Sequence, residues 1–239
     1  MKKSLLFGTV VVLFLISCIS CLDRKVKGNG DVTVEQREVS SFDKINIDGV
    51  FKVYLSQGDT EEVEVEIDEN LQSYVNVYNK GSSLFLDIEK GVNWGKTTRN
   101  NVYISLKNIE QLNIKGVCSV ATQTFLSQDD LKLVLDGVSN SSFTLISNNL
   151  DVKFNGVGNI ELIGEVNTFN VVQNGVGSLN ASDLNAAVVN IKNSGVGNAY
   201  IYAYEELYMK NSGVGSIYYS GDAVIKSVES SGVGKIHKK

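Results

Sequence analysis

Apolar and polar residues alternate along most of this chain with a period of two, which is typical of β-strands with one buried face. Clear runs of this kind lie at 42–47, 50–55, 63–67, 83–88 and 102–106. Residues 56–59 predict a turn between strands, and residues 68–74 fit a short helical turn. The pattern predicts an all-β fold.

Beyond residue 110 the alternation is tied to a repeated Gly-Val pair. Seven pairs begin at Gly116, Gly137, Gly156, Gly175, Gly195, Gly213 and Gly232, at intervals of 21, 19, 19, 20, 18 and 19 residues. A period near 20 residues indicates a solenoid, in which each rung buries its apolar side against its neighbours. We therefore expect a right-handed parallel β-helix with rungs of about 19 residues, each made of three short strands. Residues 28–110 fall outside the regular Gly-Val series and predict degenerate, irregular rungs that widen or cap the coil.

Aligning the seven copies on their first glycine gives columns of residues that stack from rung to rung. The position four before the glycine is always apolar, and the position one after it is always valine. We expect both columns to be buried, with Val157 and Val196 on either side of Val176. The first glycine, exemplified by Gly175, is expected at a corner with a positive φ. Columns of Asn and Ser beside the corner predict side-chain ladders.

The N-terminus predicts an exported, membrane-anchored protein. Lys2 and Lys3 precede the apolar stretch 5–16, which is typical of a secretory signal and short for a membrane span. The stretch ends in Leu15-Ile16-Ser17-Cys18, which resembles a bacterial lipobox. We expect lipidation at Cys18, with Cys21 as the alternative, and an ordinary signal peptide if neither is modified. The predicted organisation is a leader at 1–17, a tether at 18–29 and one solenoid domain at 30–236, divided into 30–110 and 111–236.

Composition argues against several classes of function. Loss of Lys2 and Lys3 with the leader leaves 20 basic and 27 acidic residues, a net charge of −7. Nucleic-acid binding is not expected at this charge. His237, the single histidine, lies near the end of the chain, and Cys118 reads as a tolerated small residue in the corner column. The carboxylates Asp136, Asp151, Glu161 and Glu165 show no paired spacing for general acid–base work. We therefore expect no enzyme, no cofactor and no metal site.

The segments 42–47 (FDKINI), 51–58 (FKVYLSQG) and 84–88 (LFLDI), with the Gly-Val series, resemble the head GIN domain of auto-transporter adhesins from Bacteroidetes-type bacteria. The resemblance covers about residues 30–236. It implies a β-solenoid on a secreted or lipid-anchored protein, and it implies no agreed ligand.

The functional prediction is a cell-envelope lipoprotein with a non-catalytic, adhesion-like binding module. The expected location is the outer membrane, at its periplasmic face or at the cell surface. Partners are the membrane, through the lipid anchor, and a surface glycan or protein. The alternatives are a polysaccharide-acting β-helix enzyme and a periplasmic scaffold. Aromatic residues mark the candidate ligand surface: Trp94, Tyr200, Tyr202, Tyr208 and Tyr218.

Overall fold

The computed structural model describes residues 24–239, and the leader with its two candidate lipidation sites lies outside the described residues. Most of the described chain is β-strand, which confirms the predicted fold class. One 3₁₀ helix, Glu69–Tyr74, occupies the predicted helical turn. The strands are β1 (Arg24–Val26), β2 (Val32–Arg37), β3 (Lys44–Gln57), β4 (Glu62–Asp68), β5 (Val75–Lys80), β6 (Ser83–Ile88), β7 (Val92–Trp94), β8 (Asn100–Leu106), β9 (Gln111–Thr122), β10 (Leu126–Leu135), β11 (Val138–Phe154), β12 (Val157–Gln173), β13 (Leu179–Asn193), β14 (Ala199–Asn211), β15 (Ile217–Ser220), β16 (Val224–Ser230) and β17 (Ile236–Lys238).

The strands from β9 onward stack in parallel to form the predicted solenoid. Most residues of β11 pair with the residue one repeat later in β12, as Val138 does with Val157. The pairings of β12 with β13 and of β13 with β14 continue in parallel, with local register shifts. Each of the four rungs from β11 to β14 is one strand of 13 to 17 residues rather than three short ones. The hydrogen-bonded ladder between successive rungs is interrupted mainly at the Gly-Val corner.

The column four residues before the glycine forms the expected core ladder. Its first six members are at most 3% exposed: Leu112, Leu133, Val152, Val171, Ile191 and Met209. The seventh, Val228, is 51% exposed, because β16 pairs only with β14 and no described strand lies beyond it.

The valine column is stacked as predicted, but the prediction that it is buried is wrong. Val176 bridges Val157 on one side and Val196 on the other, and all three side chains are about half exposed. The reason is strand parity. Side chains alternate across a strand, so the inward column four residues before the glycine makes the glycine itself inward and the next residue outward. The prediction did not carry this alternation across the corner, and it therefore placed the valines on the inner side.

The glycines stand at the corner because neighbouring rungs approach closely there. A Cβ on Gly175 would lie 2.1 Å from the carbonyl oxygen of Gly156. Gly175 has no positive φ, so that prediction is wrong, and the left-handed conformation belongs instead to the second glycine of the triplet, such as Gly177 at +138°. A Cβ at the second glycine would also collide with the neighbouring rung, as at Gly177 with the carbonyl oxygen of Gly158. Steric exclusion therefore requires both glycines, and a positive φ adds to this requirement at the second glycine of three triplets: Gly158, Gly177 and Gly197.

An eighth copy of the Gly-Val pair lies in the N-terminal region, which the sequence analysis did not recognise. Gly49 pairs with Gly116 and Val50 pairs with Val117, so β3 is a full rung beneath β9. Below β3 the sheet continues through β8, β4 and β2, where the pairing becomes antiparallel. This antiparallel layer closes the N-terminal end of the core. It is anchored partly by Asp68, which is fully buried and accepts backbone hydrogen bonds from Gly30 and Thr98, each at 2.8 Å.

Polar ladders run beside the corner, as predicted. Asn155 Nδ2 donates to Asp136 Oδ1 at 2.8 Å, and Asn174 Nδ2 donates to Asn155 Oδ1 at 2.9 Å. On the other side of the corner, the Asn140 side-chain oxygen accepts from the backbone N–H of Asn159 at 3.0 Å. Each rung therefore satisfies polar groups of the next, which supports one register of stacking.

Candidate ligand-binding surface

Tyr200 and Tyr218 belong to one aromatic ladder at the C-terminal end of the solenoid. Their ring centroids are 5.0 Å apart with an interplanar angle of 11°, and His237 stacks on Tyr218 at 5.1 Å. Lys239 Nζ lies 4.5 Å from the Tyr200 ring centroid. Because the rings stack along the ladder, their faces are largely used within the protein. The edges and hydroxyls remain for a partner, and stacking of a sugar ring on these tyrosines is not favoured.

The other aromatic residues of the predicted surface lie apart from this ladder. Tyr208 is in the column of Asn190, and its hydroxyl donates to Glu206 at 2.8 Å. Trp94 packs edge-to-face on Phe51 at 5.5 Å, against the N-terminal core rather than as an exposed loop tip. The five residues thus do not form one site, and ligand binding by any of them stays a prediction.

A groove of about 1060 Å³ crosses successive rungs on another side of the solenoid. It follows a corner at which Gln128, Ser147 and Val166 lie on consecutive rungs. Two exposed apolar side chains line it, Ile146 (47% exposed) and Tyr204 (42% exposed). Tyr202, from the predicted surface, belongs to the column that carries Ile146, Glu165 and Asn185, so it stands beside this groove.

The groove is acidic. Four carboxylates line it, and no lysine or arginine does: Glu110, Asp129, Asp130 and Glu165. Asp130 Oδ1 accepts a hydrogen bond from Asn149 at 2.7 Å, and Glu110 has a loose contact with Lys44 at 3.9 Å. The carboxylates offer hydrogen-bond acceptors beside an aliphatic and an aromatic side chain, a combination that suits ligands with hydroxyl or amine donors.

This groove was not predicted, although part of its signal is present in the sequence. Ser127, Ile146 and Glu165 are spaced by 19 residues, so their shared column is readable from the repeat. Further along, register shifts between Ala181 and Asn185 and between Ala186 and Val188 break the alignment with the glycine corner. Tyr204 therefore could not be assigned to the groove by counting from Gly195.

Of the four carboxylates considered for catalysis, Glu165 lines the acidic groove and the other three are held in structural hydrogen bonds. Asp136 and Asp151 each accept from an asparagine of the next rung, at 2.8 and 2.9 Å. Glu161 accepts from Ser142 at 3.0 Å. Burial raises the pKa of the Cys118 thiol to about 11, so this thiol is protonated at neutral pH and a poor nucleophile. Within residues 24–239, no group of three or more His, Cys, Asp or Glu side chains is placed to hold a metal ion.

Residues 41–223 match the family described as "Putative auto-transporter adhesin, head GIN domain". The chain belongs to this family. The match spans β4 and β8 of the antiparallel N-terminal layer and most of the solenoid, so the GIN domain here includes part of the cap as well as the repeats. No curated protein matches the sequence significantly.

Solved structures share this GIN fold. A putative adhesin from Bacteroides fragilis is 28% identical with a TM-score of 0.87, covering 90% of this chain and 100% of that one. A putative adhesin from Parabacteroides distasonis is 22% identical with a TM-score of 0.72, at the same coverage of 90% and 100%. A putative lipid binding protein from the same species is 24% identical, with a TM-score of 0.70, 90% coverage of this chain and 100% of that chain. The last two show the fold alone.

Proposed function

We propose that this GIN-domain protein is a non-catalytic binding module held at the cell envelope by a lipid on Cys18, and that the acidic groove is its ligand site. The groove is the observation that supports the binding role, because four carboxylates and two exposed apolar side chains from several rungs line it together. Solved structures similar to this chain include proteins described as putative adhesins, which agrees with a binding role.

The chemistry of the groove selects among ligand classes. An acidic lining repels uronic acids, nucleic acids and other polyanions. It favours neutral or amine-bearing glycans, whose hydroxyl and ammonium groups donate to carboxylates while a ring face contacts Tyr204. A lipid chain, suggested by the description of one structural relative, finds only Ile146, Val166 and Tyr204 as larger apolar side chains in the lining.

The anchor is the second part of the proposal. Among residues 24–239 no helix is long and apolar enough to cross a membrane. The lipobox-like Leu15-Ile16-Ser17-Cys18 supports attachment through acyl chains, each buried methylene contributing about 0.8 kcal/mol. Attachment at the N-terminus would present the solenoid from its capped end.

Membrane fractionation tests the anchor. We expect the unmodified protein in the membrane pellet with acyl chains on Cys18, and Cys18→Ala in the soluble fraction or unprocessed. Cys21→Ala is the matched control and should fractionate normally. Acylation that persists in Cys18→Ala would assign the anchor to Cys21, and absence of acylation in the unmodified protein would refute it altogether.

Turnover distinguishes the binding module from a polysaccharide-acting enzyme. Incubation with neutral, amine-bearing and uronic-acid glycans should leave every chain length unchanged by chromatography. Shortened products that disappear with the Glu165→Gln variant would overturn the non-catalytic assignment.

A further inference from the structure

A line of exposed valines runs along the Gly-Val corner from one end of the solenoid to the other. We name it the valine ridge. Its eight members are 42% to 80% exposed, and the hydrogen-bonded register places one on each rung: Val50, Val117, Val138, Val157, Val176, Val196, Val214 and Val233. Seven intervals of ~4.8 Å give a ridge roughly 34 Å long.

The columns on either side of the valine ridge are uncharged along four consecutive rungs, from Val157 to Val214. One flank precedes each glycine and the other follows the corner, and Asn and Ser occupy most of both. The charged exceptions are Asp48, Lys52, Lys115, Asp136 and Lys235. Along the four uncharged rungs, an apolar centre with a rim of Asn and Ser has the composition of a protein interface rather than of ordinary surface.

We propose that the valine ridge is the contact between two copies of this chain, packed side by side and parallel about a two-fold axis along the solenoid. A second copy has apolar groups at the same rung spacing, so each valine meets its counterpart along the whole ridge. The two-fold relation makes the contact self-complementary and closed, which limits assembly to a dimer.

Charge selects the parallel orientation. In a parallel pair, the flank before the glycine faces the flank after the corner at the same rung, so Asp48 faces Lys52 of the second copy, and this occurs twice. No two like charges of the flanks then face each other. An antiparallel pair would instead place Lys52 opposite Lys235 of the second copy, and like charges in such positions are unfavourable.

The size of the ridge makes the dimer weak in solution. Half-exposed valines on a convex corner bury on the order of 300–400 Å² per copy, less than the ~800 Å² of a stable interface. Two copies anchored in one membrane have a raised effective concentration and both N-termini at the same end, as the parallel orientation requires. In this respect the dimer rests on the proposed lipid anchor.

A different explanation is that valine serves only to stiffen the backbone between two glycines, since β-branched residues restrict the chain. Threonine has the same branched shape and carries a hydroxyl. The triple variant Val157→Thr, Val176→Thr, Val196→Thr therefore preserves the stiffening while making the centre of the ridge polar, and it separates the two explanations.

Disulfide cross-linking of the full-length protein in phosphatidylethanolamine–phosphatidylglycerol vesicles tests the proposal. Val214→Cys faces itself in the parallel dimer and should form a disulfide-linked dimer on mild oxidation, at least fivefold above the unmodified chain with its natural cysteines. In an antiparallel pair Val214 would face Val117, about 24 Å from its counterpart, too far for a disulfide. Val224→Cys, an exposed valine off the ridge, is the control and should stay at background.

Each outcome of the cross-linking experiment either supports or overturns the proposed parallel dimer. Self-linking of Val214→Cys that falls to background when the triple threonine change is added, with the melting temperature preserved, supports the proposal. Background linking, linking that survives the threonine changes, or linking of Val214→Cys only to Val117→Cys overturns it. Recovery of the protein with the vesicle pellet is measured in the same samples, so loss of the anchor is told apart from loss of the dimer.

Discussion

Gly175 lies against the carbonyl oxygen of Gly156 so closely that a Cβ at Gly175 would stand 2.1 Å from it. The same relation recurs at Gly195, where the distance to the Gly175 oxygen would be 2.2 Å. No real Cβ occupies such space, so the stacking of rungs requires glycine there. This contact between backbones, rather than a special φ, explains the first glycine of each triplet.

Gly175→Ala should therefore destabilise the protein by more than about 1 kcal/mol, because two rungs must separate to admit the methyl group. In a chain of this size, that corresponds to a fall of at least roughly 2–4 °C in melting temperature. Val176→Thr, the adjacent exposed position, is the control and should stay within about 0.5 kcal/mol. Equal melting temperatures for the two variants would contradict the steric account of the corner.

Core packing gives a second prediction. Ile191 is 3% exposed and stacks between Val171 and Met209 on neighbouring rungs. Ile191→Ala should cost about 2–5 kcal/mol through lost burial and the cavity left behind. Lys192→Ala removes the outward neighbour and should leave the unfolding free energy nearly unchanged. Urea denaturation of both variants checks the inward and outward assignment of this strand.

The columns show how far the sequence could specify the structure. The core column through Ile191 follows directly from alternation, and the Asn and Ser ladders follow from residue type. The valine column was assigned to the wrong side because parity was not carried through the corner. Gly49 and Val50 were not recognised as a further copy of the Gly-Val pair, because 67 residues separate Gly49 from Gly116, far more than one repeat.

The candidate site was less accessible to prediction than the fold. Aromatic residues drew attention to Tyr200 and Tyr218, but the direction of their ring faces depends on how adjacent rungs stack. From the sequence, Trp94 is expected at the tip of a loop. In the structure β7 pairs with β1, and the Trp94 ring packs on Phe51. In the groove, Ser127, Ile146 and Glu165 keep the 19-residue spacing, but the register shifts between β13 and β14 leave Tyr204 without a regular spacing from them.

Asp68 makes the N-terminal cap sensitive to acid. Burial alone would raise its pKa, but hydrogen bonds from the backbone of Thr98 and Gly30 outweigh this effect and hold the pKa below its usual value. Its folded pKa is thus lower than its unfolded pKa of ~3.9. The stabilisation is fully present above that unfolded value and is lost as the pH falls through the folded pKa.

Asp68→Asn should accordingly lower the unfolding free energy at pH 7 by about 1–3 kcal/mol and flatten its decline below pH 4. Asp59→Asn, in an exposed turn, is the control and should keep the acid dependence of the unmodified protein. Denaturation curves between pH 7 and pH 2 provide the measurement. An unchanged acid slope in Asp68→Asn would show that the buried carboxylate does not carry this dependence.

The thiol of Cys118 should be inert in the folded protein. It is 4% exposed, its S–H group lies within hydrogen-bonding distance of the Lys115 carbonyl oxygen at 3.3 Å, and burial raises its pKa to about 11. At pH 8, labelling of Cys118 by a maleimide should be at least a hundredfold slower than in urea. Peptide mapping separates it from the N-terminal cysteines, and fast labelling of the native protein would place the thiol outside the core.

The central claim is that the acidic groove binds a ligand without transforming it, and glycan binding by groove variants tests this most directly. The protein should retain neutral or amine-bearing glycans, and Glu165→Gln and Tyr204→Ala should each weaken retention at least tenfold with unchanged melting temperatures. Glu161→Gln, a carboxylate outside the groove, should bind as the unmodified protein does. Retention that is unaffected by Glu165→Gln and Tyr204→Ala, or absent for every neutral and amine-bearing glycan, would contradict the account.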